Sequence, residues 1–196
     1  MTQARTMADF VSGTTTITGS PTFTGTVTGA GDWTETASIG TLDAASETIT
    51  GLPSTITELY MVWDDVSTTV NSPSTFGVRL GTSGGIKTSG YKSAANQGYD
   101  GSDNFIHTPY TAHAIGDIGN WGAAALWSAQ MYFWNINSNT WVYNAIVRNS
   151  DGASSFDYDV IQTWSGRVDL GGTLDRINVS VSAGTFDGGT IKVYYK

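Results

Sequence analysis

The sequence predicts an all-β protein, a jelly-roll-like antiparallel β-sandwich preceded by an extended N-terminal arm rich in Thr and Gly. Apolar and polar residues alternate from about residue 40 onwards, the alternating stretches are short, and Gly, Pro, Asn or Asp separates them. No long stretch has the periodicity of a helix. Short strands with regular turn signals are typical of sandwiches and jelly rolls. We therefore expect an arm over 1–40 and a sandwich domain over 41–196.

Eight stretches carry the strand pattern. They are 45–51, 58–66, 76–80, 126–136, 140–147, 156–164, 174–182 and 190–196. In the seventh, Ile177, Val179 and Val181 alternate with polar residues that include Asn178, which predicts one buried and one solvated face. The fourth is apolar on both faces, as a central strand would be. The short polar turn "NSN" after it predicts a hairpin with the fifth.

Two stretches between the predicted strands, 81–104 and 105–122, are rich in Gly, Ser, Asn and Tyr. We expect them to be long irregular loops. Loops of this length in a compact β domain usually carry function or pack against a neighbour.

Composition excludes several classes of partner. The chain has 196 residues, of which 39% are hydrophobic and only 13% charged, and its formal net charge is −8. Nucleic acids and anionic lipids are bound by clustered Lys and Arg, so neither is an expected partner. The absence of Cys excludes disulfides and thiolate metal sites. No apolar run reaches the length of a signal peptide core or a membrane span.

Two Gly-rich or acidic stretches resemble ligand loops but lack essential residues. The stretch "GTSGGIKT" at 81–88 has Ile86 where a phosphate-binding loop needs its second Gly, so we predict a turn between strands. The stretch "DGSDN" at 100–104 resembles the start of a calcium loop. Phe105 and Thr111 stand where such a loop needs Gly and Glu, which favours an ordinary polar turn.

No set of residues suggests catalysis. His107 and His113 have no Cys and no obvious acidic third ligand nearby, although a metal shared between symmetry-related chains stays open. Paired carboxylates occur in "DYD" at 157–159 and at Asp64 and Asp65, which we place at a strand end, without a neighbouring His or Lys. The sequence predicts a protein that is not an enzyme and has no cofactor or resident metal.

Aromatic residues make up 12% of the chain, and their positions divide them into two groups. Trp63, Trp127 and Trp134 lie in predicted strands and are expected in the core. The aromatics of the expected long loops are Tyr91, Tyr99, Tyr110 and Trp121. Exposed rings beside Asn, Asp and Gln suit sugar recognition, and they suit a subunit interface equally well. Of the two hypotheses, the sequence favours the interface.

The arm has a strand-like pattern without a core of its own. No charged residue occurs between Val11 and Gly31, Thr alternates with Ile17, Phe23 and Val27, and Trp33 follows. An isolated strand of this kind leaves its backbone hydrogen-bonding groups unpaired unless another chain supplies partners. We therefore expect these four apolar residues to make oligomer or virion contacts.

Several segments together resemble the C-terminal domain of many tailed-bacteriophage fibre proteins. They are "ITGLPSTITELYMVWDDVST" (49–68), "VRLGTSGGIKTSGY" (78–91), "NSNTWV" (137–142), "LGGTLDRINVSV" (170–181) and "GTFDGGTIKVYYK" (184–196). The resemblance covers roughly residues 45–196. It implies a homotrimeric virion structural protein and a last strand that closes the domain. The lack of Cys and of a signal peptide core predicts that the protein is made in the host cytoplasm.

The expected function is a trimeric fibre or appendage that contacts other virion proteins and, at the host surface, glycan receptors. Only about 40 residues precede the domain, fewer than such fibres usually have, so a capsid decoration (cement) protein is an alternative. A carbohydrate-binding module is a second alternative. No receptor-binding residue is carried over from the resemblance.

Overall fold

The part of the chain that the structure describes consists of β-strands joined by turns. The structure is a computed structural model. It describes residues 33–36, 38–39, 44–70, 76–99, 102–104, 123, 125–150 and 160–196, all within the unit Asp32–Lys196. The strands are β1 (Thr34–Glu35), β2 (Ser46–Thr50), β3 (Glu58–Thr68), β4 (Phe76–Thr82), β5 (Gly85–Ile86), β6 (Lys92–Tyr99), β7 (Ser102–Asn104), β8 (Leu126–Asn137), β9 (Thr140–Ser150), β10 (Val160–Asp169), β11 (Arg176–Val181) and β12 (Phe186–Tyr195).

The strands form two antiparallel sheets. The large sheet has eight strands in the order β1-β12-β3-β8-β9-β10-β6-β7, and the small sheet has four in the order β2-β11-β4-β5. In the centre of the large sheet, β8, β9 and β10 follow one another as a meander with long, nearly continuous pairing. The predicted all-β sandwich is confirmed. The jelly-roll connectivity is not established by this strand order and stays a prediction.

The core lies between the two sheets. Leu59, Met61 and Trp63 of β3 are buried on the inner face, as the alternation predicts. Phe76 of the small sheet packs edge-on against Trp63, with ring centroids 5.3 Å apart, and contacts Trp127 at 5.4 Å. The prediction that these two Trp residues are core residues is therefore confirmed. Large aromatic side chains at the contact between the sheets bury much apolar area per residue, which is why this region anchors the sandwich.

The prediction of a long irregular loop at 81–104 is wrong for most of that stretch. Gly81 and Thr82 pair with β5 in a tight hairpin, which confirms the turn predicted at "GTSGGIKT". Beyond it, β6 pairs with β10 over eight consecutive residues, and β7 extends the edge. The sequence of β6 is "KSAANQGY", with low intrinsic strand propensity, so its pairing comes from the neighbouring strand rather than from its own residues. The other expected loop, 105–122, lies outside the described residues.

Asp64 and Asp65 lie within β3 and not at its end, which corrects the placement from sequence. Asp65 has a φ of 48°, and the pairing of β3 shifts register here against both β8 and β12. Gly189 of β12 faces this bulge with a φ of 85°, and an added Cβ would lie 2.5 Å from the Asp65 carbonyl oxygen. A β-bulge lets a strand bend and twist more strongly without ending. The other predicted carboxylate pair, at 157–159, lies outside the described residues.

Asn178 is buried, although the alternation in β11 predicts an exposed side chain. Its exposed fraction is 6%. The side chain does lie on the outer face of the small sheet, but Ser46 and Thr48 of the adjacent strand cover it and bind its amide. Alternation predicts which face a residue occupies, whereas its neighbours on that face decide how exposed it is.

The first described residues belong to the large sheet. Thr34 and Glu35 pair with β12, and Ile39, which is buried, forms a further bridge to Ile191. These residues fall within the segment that the sequence assigns to the arm. Ile17, Phe23 and Val27 lie outside the described residues, and their expected contacts stay predictions.

Candidate binding groove

The outer face of the large sheet carries one row of side chains that changes abruptly in size. Directly paired residues of antiparallel strands point to the same face, so the register identifies the row. From β12 to β6 its members are Tyr194, Tyr60, Tyr132, Asn144, Ser165 and Ala94. Three aromatic rings are therefore followed by three small side chains across a continuous sheet. The step between them makes one wall of a groove.

The groove has a volume of about 760 Å³ and crosses β8, β9, β10 and β6. Ala94 and Ser165 form the low part of its floor, and Tyr60, Tyr132 and Trp134 stand at its edge. The other outer-face residues that line it are Asn96, Gln130, Asn144, Ile146 and Thr163. Its surface thus combines ring faces, amides and hydroxyls.

Five aromatic residues pack together beside the floor and form what we call the aromatic wall: Trp33, Tyr60, Tyr132, Trp134 and Tyr194. The rings of Tyr132 and Trp134 are 4.2 Å apart at their centroids, with planes inclined by 35°. Trp33 packs edge-on against Tyr132 at 5.6 Å and also contacts Tyr60. Such contacts stabilise rings that solvent partly surrounds, and they hold the wall in one arrangement.

A hydrogen bond fixes the hydroxyl end of Tyr132. This hydroxyl donates to a carboxylate oxygen of Glu58, whose other oxygen lies 3.3 Å from Nζ of Lys196. The hydrogen bond from Tyr132, together with Lys196, lowers the pKa of the Glu58 carboxyl. Desolvation, with the nearby carboxylate, raises the pKa of Tyr132 to about 12. At neutral pH Tyr132 is therefore a protonated donor and Glu58 a charged acceptor.

The described lining of the groove is uncharged: none of these side chains is Lys, Arg, Asp, Glu or His. Charged residues lie around it, and several are paired, as Lys192 is with Glu35 at 3.7 Å. A smaller hollow of about 320 Å³ adjoins the groove, shares Gln130 and Ile146 with it, and reaches Arg148. The centre of this face thus suits a neutral ligand better than an ion.

Two of the site residues predicted from sequence, Tyr91 and Trp33, have described side chains, and neither lines the groove. Tyr91 is 1% exposed, and its hydroxyl binds the backbone of Leu80, so the expectation of an exposed loop ring is wrong. Tyr91 directly precedes β6, so it belongs to the edge of the sheet and not to a loop, and its ring lies in the core. Trp33 belongs to the aromatic wall and is 38% exposed, although we expected it as part of the arm. Tyr99 is the last residue of β6, and Tyr110 and Trp121 lie outside the described residues.

Sequence reasoning missed Tyr60, Tyr132 and Trp134 because their strands contain aromatic residues on both faces. Trp134 was expected in the core, yet it is half-buried on the outer face. A signal was present: "MYFW" in β8 sends Tyr132 and Trp134 to the side opposite Met131 and Phe133. Since a central strand also has apolar residues on both faces, the pattern alone did not separate the two cases.

The described residues contain no cluster of three or more His, Asp or Glu residues that could hold a metal ion. Among the same residues, no helix is long and apolar enough to cross a membrane. No model of a known protein family matches the chain, and no curated protein is significantly similar to it in sequence.

Proposed function

We propose that the chain is a non-enzymatic bacteriophage virion protein, a homotrimeric fibre or appendage whose β-sandwich domain contacts the host surface. The observation that carries the binding role is the aromatic wall beside an uncharged groove on the outer face of the large sheet. The resemblance of residues 45–196 to fibre domains supports the virion role.

The exposed apolar residues of the large sheet support binding. Ile146 is 58% exposed and Ile161 55%, and both lie on the same outer face as the partly exposed Trp33. Neither side chain belongs to the core between the sheets, so packing of the core does not explain why they are apolar. Exposed apolar patches rimmed by polar residues are typical of interaction sites.

The groove also favours binding over catalysis. General acid–base chemistry needs a group that exchanges protons near neutral pH or a positioned carboxylate pair. The described lining residues contain neither. Tyr132, with a pKa raised to about 12, keeps its proton and serves as a fixed donor to Glu58.

Trimer formation rests on the arm. The uncharged Thr-rich segment 11–31 has too few apolar residues to bury itself, and symmetry-related copies would supply the missing strand partners. Light scattering on the full chain should give three times the 20.8 kDa mass, and a chain lacking residues 1–31 should give a smaller assembly. A monomeric full chain would overturn the trimer.

The virion role is tested by locating the protein. Gold-labelled antibody on purified virions should mark the tail, and excess purified protein should compete with virions for host cells. Label on the head would instead support the cement role. Absence of the protein from virions would overturn both roles.

A further inference from the structure

We propose that the groove on the large sheet binds a neutral, hydroxyl-rich glycan, laid across the strands from β8 to β6. This inference rests on the proposed host-surface contact and names the ligand class of that contact. The residues that carry it are Tyr132 and Trp134 of the aromatic wall and Asn144 and Ser165 of the floor.

The aromatic wall supplies the apolar half of the recognition. The C–H face of a sugar ring stacks on aromatic rings, and Tyr132 and Trp134 are both partly exposed at the groove edge. Their rings are already in contact, and the Tyr132 hydroxyl is held by Glu58. Little side-chain freedom is therefore lost when a ligand binds, which favours affinity.

The floor supplies the polar half. Asn144 and Ser165 are exposed in one row across adjacent strands, and Thr163, Asn96 and Gln130 lie in the neighbouring row. Amides and hydroxyls both donate and accept hydrogen bonds, as sugar hydroxyls do. A rigid sheet holds these groups at fixed spacing, so they match a ligand with repeated hydroxyls.

The charges of the groove and of the whole chain favour a neutral glycan. No described lining side chain is charged, and the chain has a formal net charge of −8. An acidic polysaccharide would find no Lys or Arg in the groove and would be repelled by the rest of the protein. A cationic ligand would find no carboxylate there, because Glu58 lies beyond Tyr132 and is paired with Lys196.

The size of the groove suits a short run of sugar units. Its volume of about 760 Å³ is typical of ligand sites. Four strands at their usual spacing span about 14 Å, which admits a few sugar rings end to end.

The test measures binding of the full chain to soluble polysaccharides by affinity electrophoresis and calorimetry. The probes are a mannan, a galactan and a glucan as neutral chains, with alginate as the acidic one. We expect at least one neutral polysaccharide to bind and alginate not to bind. Trp134→Ala should weaken binding at least tenfold and Asn144→Ala about fivefold.

Ile136→Ala is the matched control, because Ile136 is an exposed apolar residue of the same strand, 56% exposed, that does not line the groove. It should leave affinity unchanged, and circular dichroism should show that every variant is folded. Binding of alginate alone, or of none of the four, would overturn the glycan inference, whereas the virion label tests the proposed function separately. A fall in molecular mass on Trp134→Ala would overturn it in favour of a second copy of the chain seated in the groove.

Discussion

The two sheets of the sandwich present different surfaces to solvent. The outer face of the small sheet is built from short polar residues and charged ones, among them Ser46, Thr48, Arg79 and Asn178. The outer face of the large sheet carries the aromatic wall, exposed Ile residues and an uncharged groove. Both faces belong to the same fold and cover the same core. The shared core therefore does not account for the difference between the two outer faces.

The polar groups of the small sheet satisfy one another. The amide nitrogen of Asn178 lies 2.8 Å from the Ser46 hydroxyl and 2.9 Å from the Thr48 hydroxyl. Arg176 binds the carboxylate of Asp175 at 2.7 Å and the carbonyl of Ser83 at 3.2 Å. A face whose groups already have partners has little to offer a ligand. Asn178 and Arg176 are therefore already bound within the small sheet, whereas amides and hydroxyls line the groove of the large sheet.

The largest expected effect tests the layer beneath the groove. Tyr143 of β9 crosses over Gly166 of β10 to share a hydrogen bond with Ser93 of β6, and a Cβ at Gly166 would lie 2.5 Å from the Tyr143 hydroxyl. Gly166→Ala should destabilise the protein by about 3 kcal/mol, through overpacking and loss of a buried hydrogen bond. Urea unfolding followed by Trp fluorescence measures this.

Gly84→Ala in the hairpin of the small sheet is the matched control for that substitution. An added Cβ there meets only the Thr82 hydroxyl, at 3.5 Å, so the stability change should stay within about 0.5 kcal/mol. Equal losses for the two variants would contradict the packing of Tyr143 over Gly166.

The next effect compares the same substitution on the two outer faces. Asn178→Ala removes a buried amide and should cost about 1–2 kcal/mol of unfolding free energy. Asn144→Ala on the exposed large face should cost less than about 0.5 kcal/mol. For polysaccharide affinity, measured by calorimetry, Asn144→Ala should have the larger effect and Asn178→Ala the smaller one. Loss of affinity in Asn178→Ala would show that the two faces are not independent.

The smallest expected effect concerns pH and the aromatic wall. Because the pKa of Glu58 is lowered by Tyr132 and Lys196, its charged form stabilises the folded state above the unfolded pKa of about 4.5, and this stabilisation is lost as the pH falls further. Glu58→Gln should flatten part of the acid limb of stability against pH. Tyr132→Phe should flatten the same part, and the double variant should add little. Full additivity would contradict the hydrogen bond between them.

Much of the fold was predictable from alternation. The period-2 pattern identified the central strands and the residues on each side, including Leu59, Met61 and Trp63 on the inner face. The polar turn at Ser138 and Asn139 predicted the hairpin of β8 and β9. These features are local, because the side chains of a strand in a half-buried sheet alternate between a buried and an exposed face, and the sequence alternates with them.

Strands of weak propensity were not predictable, and β6 is the example. Its Ala, Asn and Gln residues suggest a loop, yet it pairs along its whole length with β10. The position of Tyr91 depends on this pairing, so its burial was missed for the same reason. The hydrogen bonds that make β6 a strand come from β10, which is distant in sequence, and not from the strand propensity of its own residues.

The sequence by itself determined that this is an all-β chain of low charge, with aromatic side chains on both faces of β3 and β8. Tertiary structure decided which aromatics meet. The register aligned Tyr60 of β3 with Tyr132 of β8, and Asn144, Ser165 and Ala94 continued the row in small side chains. A groove is a property of neighbouring strands, and the strand order that brings β6 beside β10 is set by packing over the whole domain.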